Sequence, residues 1–552
     1  MSRARAAITL VALGTLVPAS VAQLTPTTLF KVNGSAGNAL GAAARGAGDV
    51  NKDGYQDVAV GAPEEAGTGV VKVYSGKDGS LVWTFAGNTA GDRFGLSVSG
   101  AGDLDQDGYS DVLVGAPQTT TGNGYVQVFS GRTGAVLLTA AGKTIKDLFG
   151  FAVSDLGDVD QDSVPDIAVG APSDFPFATG YVQVISGKTG AVIATLNGQN
   201  AGDQFGASVR RAGRVDGDAC PDLIVGAPGF NGSIGYAKVY SGCTRSEIYT
   251  FAGPTPLGYF GYAVSSAGDV DHDGRDDLLV GVPGDDLGGA DAGSVCVFSG
   301  MTGALLTTSL GVAQGGIFGA AVSEVGDVNN DGYGDFVVGA PFYCGSATDR
   351  GYARVLTVVG SSCVTLYEMT GDVVGDAFGL AVSAGGDVNQ DGFDDFLVLA
   401  PCDSSSGALS GSFRLYSGRV CPSSWNNYGA GYPGTNGVPS LTSSDIPVIC
   451  RTIDLIVTNS LGSTLPALFI AGVTPGSIPN PSGGTVLVSP PWVLQPFVLP
   501  GAGASLPFTV LCDTAFCGLT IYLQVLEQDP GAGGPHQDVS STPGLALVLG
   551  GF

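Results

Sequence analysis

The chain has 552 residues, 44% hydrophobic and only 13% charged, which is too apolar for a disordered protein and long enough for more than one domain. Its formal charge of −27 makes it a poor binder of nucleic acid or anionic membrane, since both require clustered Lys and Arg. Only six of the fifty acidic residues are Glu, and the short, turn-compatible Asp suits loops that wrap a cation.

Residues 1–22 read as a secretory signal peptide: Arg3 and Arg5 give a basic start, Ala6 to Val17 an apolar run, and Ser20-Val21-Ala22 small residues before a cut at Gln23. That run is too short to cross a bilayer, and no later segment carries about 20 uncharged apolar residues. An exported protein without a membrane span is expected, with a mature charge of −29 once Arg3 and Arg5 are lost. Export permits disulfides among the ten cysteines. Cys344 and Cys363, and Cys402 and Cys421, are each nineteen residues apart at equivalent repeat positions, and local bridges are expected there. Cys220 with Cys243 is a third expected bridge and Cys512 with Cys517 or Cys450 a fourth; Cys296 has no obvious partner.

From residue 48 the chain repeats. GDVNKDGYQDVAVGAP starts at Gly48, and variants of it start at Gly102, Gly157, Gly213, Gly268, Gly326 and Gly386, seven copies spaced 54 to 60 residues apart. Ahead of most copies stands Phe-Gly and an alternating stretch. Behind each come a variable loop, a strand such as Tyr125 to Phe129, a Thr-Gly or Asp-Gly turn and a fourth apolar stretch. Short β-branched and aromatic runs bounded by Gly, Asn, Asp and Pro are strands, and four per unit of about 55 residues describe a propeller blade. No convincing helix is present. The last unit loses its pattern at Cys421, before a fourth strand, while Thr28 to Gly34 aligns with the fourth strand of the next unit. The fold expected is all-β: a seven-bladed β-propeller over residues 23–421, closed by the N-terminal strand.

Within each copy, side-chain oxygens fall at positions one, three, five and nine, and a main-chain carbonyl at position seven can join them. The first loop offers Asp49, Asn51, Asp53, Tyr55 (carbonyl) and Asp57; the second Asp103, Asp105, Asp107, Tyr109 and Asp111; the third Asp158, Asp160, Asp162, Val164 and Asp166. The fifth offers Asp269, Asp271, Asp273, Arg275 and Asp277, the sixth Asp327, Asn329, Asp331, Tyr333 and Asp335, and the seventh Asp387, Asn389, Asp391, Phe393 and Asp395. A hard cation such as Ca2+ takes six to eight oxygens, and repulsion among three or four carboxylates without one would be costly. An EF-hand would need Glu at position twelve, where Val60 stands. About six calcium sites are therefore expected, holding 21 carboxylates and bringing −29 to about −17. The third loop has Ser163 in place of Gly. The fourth begins with Arg214, and that guanidinium is expected to stand in for the cation beside Asp216, Asp218 or Asp222.

Phe-Gly at 94–95, 149–150, 205–206, 260–261, 318–319 and 378–379, with Gly-Ala-Pro at 61–63, 115–117, 170–172, 226–228 and 339–341, resembles the FG-GAP repeat of integrin alpha subunits and of glycosylphosphatidylinositol-specific phospholipase D. Leu40-Gly41 replaces the first Phe-Gly, and Gly-Val-Pro and Leu-Ala-Pro the fifth and seventh Gly-Ala-Pro. The resemblance implies structural calcium on one face and ligand binding on the other, through the loops between second and third strands: residues 64–68, 118–123, 173–179, 229–234, 284–292, 342–350 and 402–410. Among these the fifth is the most acidic, with Asp285, Asp286 and Asp291, and the third the most apolar, with Phe175 and Phe177.

Residues 422–440 are rich in Gly, Pro, Ser and Asn and read as a linker, and 441–552 as short strands of a small β-sandwich. For catalysis, His272 falls at a variable loop position, His536 in a Gly-Pro-rich turn, and the paired carboxylates are absorbed by the calcium loops. The function expected is therefore non-enzymatic: a secreted or cell-surface calcium-binding propeller recognising an extracellular protein or glycan, with no nucleic acid and no membrane span. A structural surface protein is the alternative, and a hydrolase or lyase acting on glycans a more distant one.

Overall fold

A computed structural model describes residues 26–118, 122–173, 178–329, 332–342 and 349–418, and the backbone of strands between 424 and 548. It divides into two compact units, with the boundary between Arg419 and Val420. The first is a ring of four-stranded antiparallel sheets, one per repeat. In the first blade the strands run Ala43–Gly48, Asp57–Ala62, Val70–Tyr74 and Leu81–Ala86, in that order from inside to outside. The innermost strands of neighbouring blades lie side by side around a central channel. The second strand is wholly buried in every blade, since other strands cover both its edges and other blades both its faces. Among the described residues helix is confined to the turns Glu65–Gly67 and Phe230–Ser233. No helix among the described residues is long and apolar enough to cross a membrane.

The repeat signature is the seam between blades. The Phe of each Phe-Gly is buried to 1% exposure or less and packs among residues of two successive blades, as Phe94 does among Val71, Val98 and Val114. A Cβ on Gly61 would stand 1.9 Å from the carbonyl oxygen of Gly95 in the next blade. Gly95 itself has φ +86°, so the two backbones approach as only glycine permits. Leu40 for Phe and Leu399 for Gly both fall at the seam between the seventh and first blades and share one buried cluster. The smaller residue at one place accompanies the larger at the other.

The seventh blade takes Ala381–Gly386, Asp395–Ala400 and Ser412–Tyr416 from the end of the unit and its outer strand, Thr28–Asn33, from the beginning. Phe30 meets Phe413 edge-on at 6.2 Å, and Lys31 bonds Asp372 at 3.0 Å. This one strand ties the two ends of the unit together.

Of the cysteines, Cys220 and Cys243 are bridged, and Cys402 is also disulfide-bonded, while its expected partner Cys421 lies outside the described residues. Cys363 carries a free thiol, so the expected Cys344–Cys363 bridge is not formed. The third and fourth strands of this blade form a long hairpin, Tyr352–Val359 with Ser362–Thr370. Cys363 pairs with Val358 near its tip, a strand length away from Tyr352, where the third strand begins; Cys344 lies outside the described residues.

The second unit has one antiparallel sheet ordered Ser424–Tyr428, Gly544–Val548, Thr520–Gln528, Leu465–Gly472, Val493–Leu499, with Val539–Ser541 also on Thr520–Gln528. A second sheet pairs Leu441–Ser443, Thr452–Val457 and Ala504–Thr509. The strand Ser424–Tyr428 lies inside the segment 422–440.

Removing Thr28–Asn33 deletes five residue pairings with Ser412–Tyr416. At about 1 kcal/mol per ladder bond, a chain starting at residue 35 is expected to melt roughly 10 °C lower, checked by calorimetry. An unchanged midpoint would show that the ring does not depend on this closure.

Candidate metal centres

Each Asp loop joins the first strand of its blade to the second, on the same face as the turn between third and fourth strands. The ninth position opens the second strand, and its carboxylate is buried. Asp57 Oδ2 accepts the N–H groups of Val50 at 2.9 Å and Asn51 at 3.3 Å, while Oδ1 accepts Gly76 N–H, from the other turn, at 3.1 Å. Asp111 does the same with Leu104 and Gly131, Asp166 with Val159 and Gly187, and Asp222 with Val215 and Gly242. Asp277 takes Val270 and Gly300, and Asp395 takes Val388 and Gly418. Asp335 accepts Val328 N–H at 3.0 Å. In the other six blades one carboxylate thus holds the loop and the turn together.

The first position folds the loop on itself. Asp49 accepts Asp53 and Gly54 N–H groups at 3.0 and 2.9 Å, and Asp103, Asp158, Asp269 and Asp387 repeat both contacts with the residues four and five places on. Asp327 accepts Gly332 N–H at 2.7 Å. At the fifth position Asp53, Asp107, Asp162, Asp273 and Asp391 each accept the N–H of the residue two ahead: Tyr55, Tyr109, Val164, Arg275 and Phe393. The third position is the freest: Asn51 and Asn389 accept one N–H each from Asp53 and Asp391. Asp331 lies outside the described residues, while Asn329 and Tyr333 stand in the same loop.

The carboxylates converge. One oxygen each of Asp103, Asp105 and Asp111 lie within 4.8 Å of one another, as do those of Asp158, Asp160 and Asp166, and of Asp269, Asp271 and Asp273. A carboxylate has about four lone-pair sites and the backbone uses at most three, so oxygen lone pairs remain for a cation. The residues fit a hard divalent ion. Burial raises the ninth-position carboxyls in the ion-free chain, Asp57 and Asp111 to about 6 and Asp277 and Asp395 to about 7.

The fourth loop departs from the expectation. Asp216, Asp218 and Asp222 still converge, but the Arg214 guanidinium pairs with none of them; its main-chain N–H bonds Asp276 at 2.7 Å instead. The cation that reaches this loop is Arg275 of the next blade, whose guanidinium occupies the space a side chain on Gly217 would need. Cys220, at the seventh position, is bridged to Cys243 in the turn between third and fourth strands. In the first two blades the same two places are joined by Lys77 over Tyr55 and Arg132 over Tyr109. The fourth blade has a covalent link there.

The loops also contact one another around the ring through position four, where Lys52, Gln106, Gln161, His272 and Gln390 all have φ near +60°. Lys52 reaches over Tyr109, Gln106 bonds the Ser163 carbonyl, His272 stacks edge-on against Tyr333, and Gln390 bonds the Gly54 carbonyl. His272 is thus a packing residue between two loops.

On the opposite face, the acidic residues of the fifth loop are braces. Asp285 is buried and accepts Leu287 N–H and the Ser294 hydroxyl, and Asp286 accepts Asp291 N–H. Leu287 is left 68% exposed at the tip. Asp403 braces the seventh loop through Ser405 and Ser412 in the same way. Phe175 and Phe177 lie outside the described residues. A further set of Asp residues, two places before the Phe of Phe-Gly and not singled out by sequence, accepts tyrosine hydroxyls: Tyr125 to Asp92, Tyr181 to Asp147 and Tyr236 to Asp203, each at 2.7 Å. The recurring D-x-F-G spacing was the available signal.

This fold and these loops define a seven-bladed β-propeller with acidic loops on one face. The family described as FG-GAP repeat matches residues 44–74, 94–129, 260–298 and 318–356. Integrin alpha-V of Gallus gallus is 35% identical over 208 residues, 34% of this chain and 20% of that protein. Integrin alpha-5 of Xenopus laevis is 32% identical over 212 residues, and integrin alpha-6 of Homo sapiens 36% over 137, covering 20% and 12% of those proteins. The aligned part spans about a fifth or less of each relative's length. The four matched repeats are FG-GAP repeats, and the propeller is similar to that of integrin alpha subunits. The third, fourth and seventh blades, outside the matched segments, are those with Ser163, Cys220 and Leu399.

Two outcomes follow. Asp111→Ala leaves two buried N–H groups without acceptors and is expected to cost about 2–5 kcal/mol in chelator as well as in calcium; a loss seen only in calcium would give Asp111 a purely ligand role. Replacing Cys220 and Cys243 by Ser opens a loop of 23 residues, at a cost of about 3 kcal/mol by denaturant titration. No change would mean that the bridge does not brace the fourth blade.

Proposed function

We propose that the chain is a secreted or cell-surface recognition propeller, held rigid by about six calcium ions in the first, second, third, fifth, sixth and seventh Asp loops, that binds an extracellular protein or glycan through its opposite face. The observation that carries this is the division of labour between faces. One face repeats the same oxygen-bearing loop, with side chains committed to backbone and neighbouring loops. The other bears loops that differ in sequence from blade to blade on braced bases, which is where binding residues concentrate on rigid scaffolds. The integrin-like resemblance supports calcium at the first face and recognition at the second. The second unit, which we propose is a small β-sandwich, and the signal peptide at 1–22 fit an exported protein.

Calcium would be held by the carboxylates of positions one, three, five and nine with the main-chain carbonyl of position seven, and would supply charge neutralisation where three or four carboxylates converge. Its effect on stability depends on pH. The ninth-position carboxyls are raised from about 3.9 in the unfolded chain to about 6 or 7 when folded without ions. Their protonation stabilises the ion-free fold below pH 4, and that contribution is lost as pH rises through 6 to 7. Calcium binds the ionised form, so the melting-temperature difference between calcium and chelator is expected to widen from pH 5 to pH 8. A difference independent of pH would contradict the assignment, as would none at all.

The recognition reading is tested by probing arrays of glycans and matrix proteins with the calcium-loaded chain, then with Leu287→Ser and a Ser-substituted first loop at residues 64–68. Binding lost in a loop variant with unchanged melting supports recognition. A folded, calcium-loaded chain that retains nothing supports the structural alternative.

A further inference from the structure

The innermost strands line a central channel with two chambers, of about 620 and 240 Å³. In these strands the residue five places after the Phe of Phe-Gly is serine in five blades, Ser99, Ser154, Ser265, Ser323 and Ser383, all buried. Three of these serines accept an N–H from the next blade: Ser99 from Asp155, Ser154 from Arg211 and Ser265 from Glu324, each at 3.2 Å. The column breaks in the first and fourth blades, where it carries Arg45 and Arg210. In a chain with only 23 basic residues, two guanidiniums in a column of serines need an explanation.

Neither is ion-paired. Arg45 Nη1 donates to the Ser323 hydroxyl at 3.1 Å, and Arg210 Nη1 to the carbonyls of Val153 and Val209 at 3.1 and 3.2 Å. The remaining N–H groups of Arg210 find no protein acceptor among the described residues. Burial and then the charge of Arg45 lower Arg210 to about 9, so the guanidinium is short of compensating negative charge.

The two chambers differ in charge. The larger, on the Asp-loop side, holds Arg45 and Arg211 with Asp155, Asp276, Glu324 and Asp394, an excess of acid that repels anions. The smaller lies under the recognition face and is walled by Ala, Val, Ser, Leu96, Phe151, Tyr262 and Leu380. Arg210 is its one charged group and the deepest residue lining it. Tyr262 and Leu380, at the mouth, are 50% and 40% exposed. A funnel of small residues ending on a guanidinium with unused donors fits a small anion, and a planar guanidinium fork matches a carboxylate in particular. At 240 Å³ it falls below the roughly 300–1,000 Å³ of drug-sized sites, so the ligand must be small or the end of a chain.

We propose that the smaller chamber is a binding site for a carboxylate, either a free small acid or a peptide C-terminus, with Arg210 as the carboxylate-binding residue. The site does not depend on the calcium loops.

The test uses the full chain with four probes in isothermal titration: hexanoate, hexanamide, a short capped peptide ending in leucine, and its C-terminal amide. At least one acid is expected to bind, ten-fold or more tighter than its amide; hexanoate alone identifies a small acid as the source, the peptide alone a chain end. Arg210→Ser restores the residue found in five other blades and should keep the melting temperature while losing ten-fold or more in affinity. Arg210→Lys should keep a preference for acid over amide. The proposal is overturned if neither acid binds the folded chain, if acid and amide bind alike, or if Arg210→Ser binds undiminished.

Discussion

In six of the seven blades of this propeller one buried carboxylate accepts main-chain N–H groups from two turns at once. The chain has about 55 residues per blade in which to make four strands and three connections, and both connections on the Asp-loop face expose backbone donors beside a buried strand. Without an acceptor those donors would be desolvated and unpaired, at about 1–3 kcal/mol each. The ninth-position Asp removes that cost by joining Val50 to Gly76, or Leu104 to Gly131. The remaining loop carboxylates gather around that fixed point. A cluster of carboxylates suited to a divalent cation is the consequence, because carboxylates already drawn together by backbone donors leave outward lone pairs on neighbouring oxygens. The fourth blade supports this order of cause: it has lost the first-position Asp, yet Asp222 keeps both its contacts.

Much of this was legible in the sequence because repetition averages out ambiguity. One Asp-rich turn beside Val-Ala-Val has many readings, whereas seven in register with Phe-Gly and Gly-Ala-Pro have few. The closing strand was legible as well, since Thr28 to Gly34 matches a fourth strand and the last repeat lacks one. Sequence did not reveal what the departures mean. Leu40 and Leu399 lie more than 350 residues apart and meet only because the ring closes. Equal spacing misled for Cys344 and Cys363, since an extended hairpin in the sixth blade carries Cys363 to the far end. Arg214 was expected over its own loop, but a side chain's direction is fixed by neighbours, and Arg275 from the next blade fills the space beside Gly217.

The channel shows the same limit from the other side. A column of serine interrupted by Arg45 and Arg210 is visible once the repeats are stacked, but nothing in the residues says that the column faces a cavity. The structure supplies that fact and separates a chamber rich in acid from one holding a lone guanidinium. The propeller then has three regions with distinct chemistry: a calcium-suited face that fixes the blades, a variable face above, and a channel whose polarity changes midway.

Hydrogen exchange in chelator tests the central claim most directly. If the ninth-position carboxylates hold each blade by themselves, the amides of Gly76, Gly131, Gly242 and Gly300, which lie in exposed-face turns, will exchange nearly as slowly without calcium as the second strands they adjoin. If those amides exchange at the rate of open turns until calcium is added, the ion and not the carboxylate organises the blade.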